Sequence, residues 1–405
     1  MADIQSDEQV NSRLGQTARE IAARLGRVLR RSDRAEARRL RAAEADRPLA
    51  ERLHVPIVEV SPESRYCAEI VQTHAALAQA DRWAELLAEV RRADQARAGA
   101  PAGRRLAVLA SDGARAALTA AIASRDWAAA DEALDRLDAM QAVHHDDYAA
   151  AQILAQAHLD LGWARRGTAC EAGPGGAGRQ GFLSHTAEAE RVLDQFDPIE
   201  ENSPLLAGTR YRLVQGIDEG EALVRDWYQD WSDLDPTCPE PHAAHAVHLL
   251  PPWYGRPEGF EAEARAAVKR TSDVSGAAAY AVFYLSAAQA QGDYPPGMDL
   301  GLFVRGLIDH HRATGCQYRA NIVAGALTEL AHSQGYDTTL ASMRAKVVME
   351  TLDDHVRDNL REFHLPAWEN GLDCIHWAMG QLFHDDLLRG AHIYPGVAGL
   401  EARMP

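Results

Sequence analysis

The chain has 405 residues, with 42 Lys and Arg against 59 Asp and Glu and a formal net charge of −17. Hydrophobic residues make up 46% and charged residues 25%, a core-forming balance that excludes disorder over most of the length. The acidic balance argues against nucleic-acid or anionic-membrane binding, no stretch of about 18 residues is apolar enough to cross a membrane, and five scattered cysteines without a C-x-x-C point to free thiols in a reducing cytoplasm.

Residues 1–60 form an Arg-rich arm with 12 arginines and 10 acids. Its start, MADIQSDEQVNSR, lacks a basic segment followed by an apolar run, so no secretory signal is expected. Leu14, Ala18, Ile21, Leu25 and Val28 advance in steps of four and three, which places them on one face of a long helix. That stripe needs a burial partner, either the rest of the chain or a second copy in a homodimer. The arginines from Arg24 to Arg52 alternate with Asp33, Glu36, Glu44, Asp46 and Glu51, as on a solvated helix face paired within itself. Only two lysines, Lys269 and Lys346, stand against 40 arginines, which reads as the base composition of a GC-rich bacterial genome. His54 to Val60 is the one strand-like piece, and Pro56 restricts it to an edge.

Beyond residue 60 good helix formers fill nearly every segment, and strands never alternate with helices, so the fold class is all-α. A helix, a short polar turn, a bulky residue and a second helix recur. Examples are Ala80-Asp81-Arg82-Trp83, Ser124-Arg125-Asp126-Trp127, Gln291-Gly292-Asp293-Tyr294 and Gln334-Gly335-Tyr336-Asp337. Markers at Trp83, Trp127, Trp163, Ile217, Tyr254, Tyr294 and Tyr336 are separated by 44, 36, 54, 37, 40 and 42 residues, the spacing of helix-pair repeats that stack into a solenoid. The segment from Gly113 to Leu137 resembles a tetratricopeptide (TPR) helix pair. Ala130, Leu134 and Leu137 stand at its second-helix positions, with a departure at Leu137, and Ala114, Leu118 and Ala121 replace the usual first-helix residues. His74–Ala93 is similar, with Leu86, Val90 and Ala93, although Leu86 stands where a small residue is usual. The resemblance spans roughly residues 65–350 in degenerate form. It implies an α-solenoid of stacked helix-turn-helix units that binds a protein or peptide in a concave groove.

Next along the chain, Asp146 or Asp147 is expected to cap a helix starting near Tyr148, rather than to work with His144 and His145. Gly176-x-Gly178-x-x-Gly181 matches a dinucleotide fingerprint in letters, but a helix precedes it and no parallel sheet can host it. The stretch 167–181, with six glycines and Pro174, is expected to be an exposed loop.

His242, His245 and His248 then follow at i, i+3 and i+6 on a helix bounded by prolines. At 100° per residue they fall within about 120° of one another. His242 and His245 are weak candidates for a shared metal, but no carboxylate at i+3 or i+4 completes a set and H-E-x-x-H is absent, so no metal or other cofactor is assigned. A groove lined by His242, His245 and His248, with Trp253 and Tyr254 at its rim, is the expected binding site. The run His248 to Gly255 also resembles bacterial helical-repeat proteins carrying H-x-x-x-x-W-Y-G.

The remaining Asp-His neighbours, Asp309-His310-His311, Asp353-Asp354-His355 and His384-Asp385-Asp386, lack the companions that phosphohydrolase chemistry needs. No G-x-S-x-G elbow or phosphate loop occurs, and no catalytic residue is assigned. Residues 351–405 are expected to form a helical cap on an array covering 61–350. The sequence thus points to a cytoplasmic helical-repeat adaptor for a protein or peptide rather than an enzyme. The alternative is an enzyme or small-molecule binder with a pocket near His242–Tyr254.

Overall fold

In a computed structural model of the chain, the described residues are 39, 41–167, 177–251, 253–333 and 339–405. The apolar stripe from Leu14 to Val28, residues 168–176 of the Gly-rich stretch and the turn at 334–337 lie outside them. The structure is 71% helical, as composition requires. Its sheets among the described residues have two strands each.

The chain divides into two compact units. The larger comprises Val58–Leu352 with His364–Glu369, and the smaller comprises the described part of Met1–Ile57 with Asp353–Phe363 and Asn370–Pro405.

In the larger unit the helices are α1 Pro62–Gln79, α2 Trp83–Gln95, α3 Leu106–Ala114, α4 Ala116–Ser124, α5 Trp127–Val143, α6 Tyr148–Arg166 and α7 Ala177–Leu193. They continue as α8 Pro204–Arg212, α9 Gly220–Leu234, α10 Glu240–His248, α11 Pro257–Ser275, α12 Ala278–Gln291, α13 Leu300–Arg312 and α14 Gln317–Ser333. Side-chain caps set several starts. Ser61, Asp126, Asp147 and Ser203 each accept a hydrogen bond from a backbone N–H in the first turn that follows, satisfying donors that the helix leaves orphaned. Asp147 is the expected cap on Tyr148. Its neighbour in function, Arg91, pairs with the same carboxylate.

The polar turns share a conformation. Asp81, Arg125 and Gly292 have φ of 51°, 57° and 83°, and each lies two residues before an aromatic, Trp83, Trp127 or Tyr294. A left-handed residue reverses the chain at the helix end. Two of the three are not glycine, so composition alone hides the motif.

The faces expected from the repeat pattern are inside: Leu86, Val90, Leu118 and Ala130 are fully buried and Leu137 nearly so. They join a core centred on α6, where Ala149, Ala150, Ala151, Ile153, Leu154 and Ala155 have no exposed surface. Alanine on every side of one helix lets neighbours pack close around it. The Gly-rich stretch ends as helix. Gly178 and Gly181 fall in the first turns of α7.

The smaller unit departs from an all-helical cap. Beside helix α15 Leu372–Leu382 it carries an antiparallel pair, β1 His392–Pro395 with β2 Leu400–Arg403, in the register His392 to Arg403 and Pro395 to Leu400. The physical reason is local: Gly396 N–H donates to Gly399 O at 2.7 Å, closing a tight turn, and Ile393 and Leu400 bury one face. Within this unit His54 Nε2 lies 2.8 Å from His392 Nδ1, and His392 Nε2 lies 2.9 Å from a Glu44 carboxylate oxygen.

Candidate functional site

In the expected groove, the structure places His242, His245 and His248 on α10 at 3%, 0% and 5% exposure. Their rings are packed among aromatic neighbours. His245 stacks on Tyr228 with centroids 4.0 Å apart and planes 4° apart, and Phe283 of α12 meets both His242 and His245. Hydrogen bonds order the cluster. Gln215 Nε2 donates to His248 Nε2 at 2.6 Å, so His248 Nδ1 carries the proton and donates to the Tyr211 oxygen at 2.8 Å. Tyr211 then donates to His245 Nδ1 at 2.9 Å, which leaves the proton of His245 on Nε2, 4.0 Å from a Glu263 oxygen and without a hydrogen-bond partner. His242 Nδ1 lies 2.9 Å from the Tyr228 hydroxyl. Burial pushes the imidazoles down to about 4 for His242, about 3 for His245 and about 4 for His248, so all three are neutral at pH 7. Among the described residues, no group of three or more His, Cys, Asp or Glu side chains is placed to hold a metal ion.

Trp253 and Tyr254 stand next to this cluster. Trp253 meets Trp163 and His248 edge-on at 6.0 and 5.9 Å, and the Tyr254 hydroxyl donates to Val214 O. Gly255 is obligatory there, since a Cβ on it would lie 1.4 Å from Leu249 O. The five residues gather in one place, but the two cavities described next are lined by others.

The first of these cavities has a volume of about 200 Å³ and is walled by α2, α3, α6, α8 and α9 together with Arg97, Arg104, Arg105 and Arg115. Asp94 of α2 fixes one side. Its carboxylate accepts from Ser203 Oγ at 2.5 Å, Leu205 N at 3.0 Å and the Tyr148 hydroxyl at 3.1 Å, tying α2 to the start of α8 and to α6. Burial raises its pKa despite these three donors. Behind it runs a polar ladder: Ser111 donates to Gln152 at 2.8 Å and Gln152 to Thr209 at 2.9 Å, linking α3, α6 and α8. Gly208 lets the Trp231 ring lie directly on α8, where a Cβ would approach it to 2.8 Å.

Most arginines at the cavity are already engaged. Arg105 clasps Asp235 with Nε and Nη2 at 2.7 and 2.8 Å; burial lowers its pKa, and the carboxylate more than offsets this. Arg115 bonds Asp160 at 3.0 Å, Asp112 at 2.9 Å and Ser111, and Arg104 reaches the other Asp112 oxygen at 3.1 Å. Arg97 holds the Asn202 side chain at 2.6 Å and several backbone carbonyls.

Arg212, at the last position of α8, differs. Its side chain is exposed and makes no hydrogen bond or ion pair among the described residues. Yet burial lowers its pKa, with Asp160 pulling the other way and Arg115 adding to the effect. Its side chain lies on the cavity wall and is open to water. The Trp231 indole N–H and Arg105 Nη1 likewise have no partner among the described residues. Opposite chemistry sits at Cys238, whose thiol donates to Glu240 at 2.6 Å. Burial and that carboxylate hold the thiol protonated, and burial raises Glu240 in turn. No histidine is among the residues that line this cavity, so Ser111 and Thr209 have no imidazole base beside them.

A second cavity, about 220 Å³, lies among α1, α3, α4 and α5 and is walled chiefly by alanines, with Trp83 and Leu118. No family model, no curated protein and no solved structure matches this chain.

None of the arginine cavity was singled out from sequence. Its residues come from separate segments between Ala93 and Glu240, and no spacing relates them. The signal that a sequence does hold is compositional, an arginine at 97, 104, 105 and 115 in an otherwise acidic chain.

Proposed function

We propose that this chain is a binding protein that takes a small organic anion into the arginine-lined cavity, carried on an array of stacked, degenerate TPR-like helix pairs. The observation that carries the reading is Arg212, a cation on the cavity wall whose exposed side chain makes no hydrogen bond or ion pair among the described residues. A guanidinium fork that is open to the cavity can clasp an incoming anion through charge-assisted hydrogen bonds. The shared left-handed turns at Asp81, Arg125 and Gly292 support the repeat reading. Titration of the purified chain with a panel of carboxylates and phosphates by calorimetry tests this. Saturable binding that Arg212→Gln removes is the expected result, and a panel with no binder refutes it.

The second reading is an adaptor that docks a peptide. It is favoured by the second cavity, whose apolar wall of small side chains suits an inserted hydrophobic residue.

A further inference from the structure

The donors left over in the arginine cavity define what it accepts. An apolar cavity of about 150 Å³ admits benzene, so a volume of about 200 Å³ suits one six-membered ring with a short substituent. The walls are of two kinds. Trp231, Leu205, Val108 and Ala93 present apolar surface, while Arg212, Arg105 and Gln156 present polar groups. Charge is also limited. Arg105 is matched by Asp235, and Arg104 and Arg115 share Asp112, with Asp160 as a further partner of Arg115. Arg97 has no carboxylate either but is spent on Asn202 and backbone carbonyls, which leaves Arg212 as the lining cation with no bond among the described residues. A dianion placed beside it would face the carboxyl groups of Asp94, Asp112, Asp235 and Glu240, which also line the cavity.

We infer that the ligand is a ring-bearing monocarboxylate of about benzoate size, with its carboxylate on Arg212 and its ring against Trp231 and Leu205. The inference rests on the anion-binding reading above and narrows it. A guanidinium fork matches a carboxylate through two parallel hydrogen bonds. The flat indole offers a face for the ring. The unspent indole N–H and Arg105 Nη1 are donors for a hydroxyl or keto oxygen on the ring, so hydroxybenzoates should bind more tightly than benzoate.

The test uses the full chain with three probes, benzoate, inorganic phosphate and succinate, followed by calorimetry and by quenching of tryptophan fluorescence. Benzoate should bind saturably with one site, and Arg212→Gln should weaken it about 10- to 100-fold, the loss expected for charge-assisted hydrogen bonds. Trp231→Phe should remove the quenching that benzoate causes, which assigns the signal among the eight tryptophans. Thermal melts of each variant in the absence of ligand check that it folds. Should Arg212→Gln fail to fold, Gly208→Ala replaces it: its Cβ forces the Trp231 ring to shift, which should weaken benzoate and leave phosphate unaffected. If phosphate or succinate binds through Arg212 and benzoate does not, the ligand class is wrong while the anion site stands. If none of the three binds in an Arg212-dependent manner, both the class and the underlying reading fall.

Discussion

Acidification should destabilise this protein well above the pH at which carboxylates titrate. His242, His245 and His248 have folded-state pKa values of about 4, 3 and 4 against an ordinary value of 6.5. A depressed pKa means that the unfolded chain binds protons first, so the stability that these rings contribute is complete above 6.5 and is lost as pH falls toward the folded values. Each unit below 6.5 costs about 1.4 kcal/mol per histidine. At pH 5.5 the three together lose about 4 kcal/mol, a large part of the roughly 5–15 kcal/mol that holds a domain folded. The structural cause is the directed chain from Gln215 through His248 and Tyr211 to His245. Protonating His248 Nε2 or His245 Nδ1 replaces an acceptor with a second donor. His158 and His310, lowered by burial to about 4 and about 3, act in the same direction. The raised carboxyls of Asp94 and Glu240 act oppositely, taking up protons more readily in the folded state. Urea unfolding at pH 7.5, 6.5 and 5.5 measures the balance. Stability should fall by about 1 kcal/mol from 7.5 to 6.5 and then more steeply, with a slope of several protons. His245→Phe should reduce that slope by about one proton. A flat profile from pH 7.5 to 5.5, or a slope unchanged by the variant, would refute the account.

Removing Arg105 leaves the Asp235 carboxylate, 2% exposed, without its bidentate partner, so Arg105→Ala should cost about 3–5 kcal/mol in urea unfolding. By contrast Arg136→Ala, at an ion pair with Asp81 that is largely exposed on both sides, should cost under about 1 kcal/mol. Asp94→Ala strips acceptors from Ser203, Leu205 and Tyr148 at once and should destabilise by several kcal/mol, at about 1–3 kcal/mol for each buried donor left unpaired. A melting temperature unchanged from the parent would show that α8 is held by packing alone. Gly255→Ala forces a Cβ into the Leu249 carbonyl, and the variant should be recovered largely insoluble or with a much lower melting temperature.

What was legible from the residues alone is what depends on near neighbours. Helix follows from an abundance of alanine, leucine, arginine and glutamate, and the buried faces at Leu86, Val90, Leu118 and Ala130 follow from steps of three and four. The cap at Asp147 and the reversals before Trp83, Trp127 and Tyr294 are equally local. The β1–β2 pair near the end of the chain was missed because a four-residue pairing carries too few alternating positions to register against helix-forming surroundings. The histidines show a limit of periodicity. Their spacing places them together on one face of α10, but what that face meets is settled by Tyr211, Tyr228 and Phe283, residues from other helices. Tertiary structure alone decided the arginine cavity. Arg105 and Asp235 are 130 residues apart, and Ser111 finds Gln152 across 41. Whether an arginine is paired depends on which carboxylates packing brings within reach, and helical spacing carries no information beyond a few turns. Arg212 looks like any other helix-end arginine in the sequence. Its lack of a partner exists only once packing has committed Asp112 of α3, Asp160 of α6 and Asp235 after α9 to Arg104, Arg115 and Arg105.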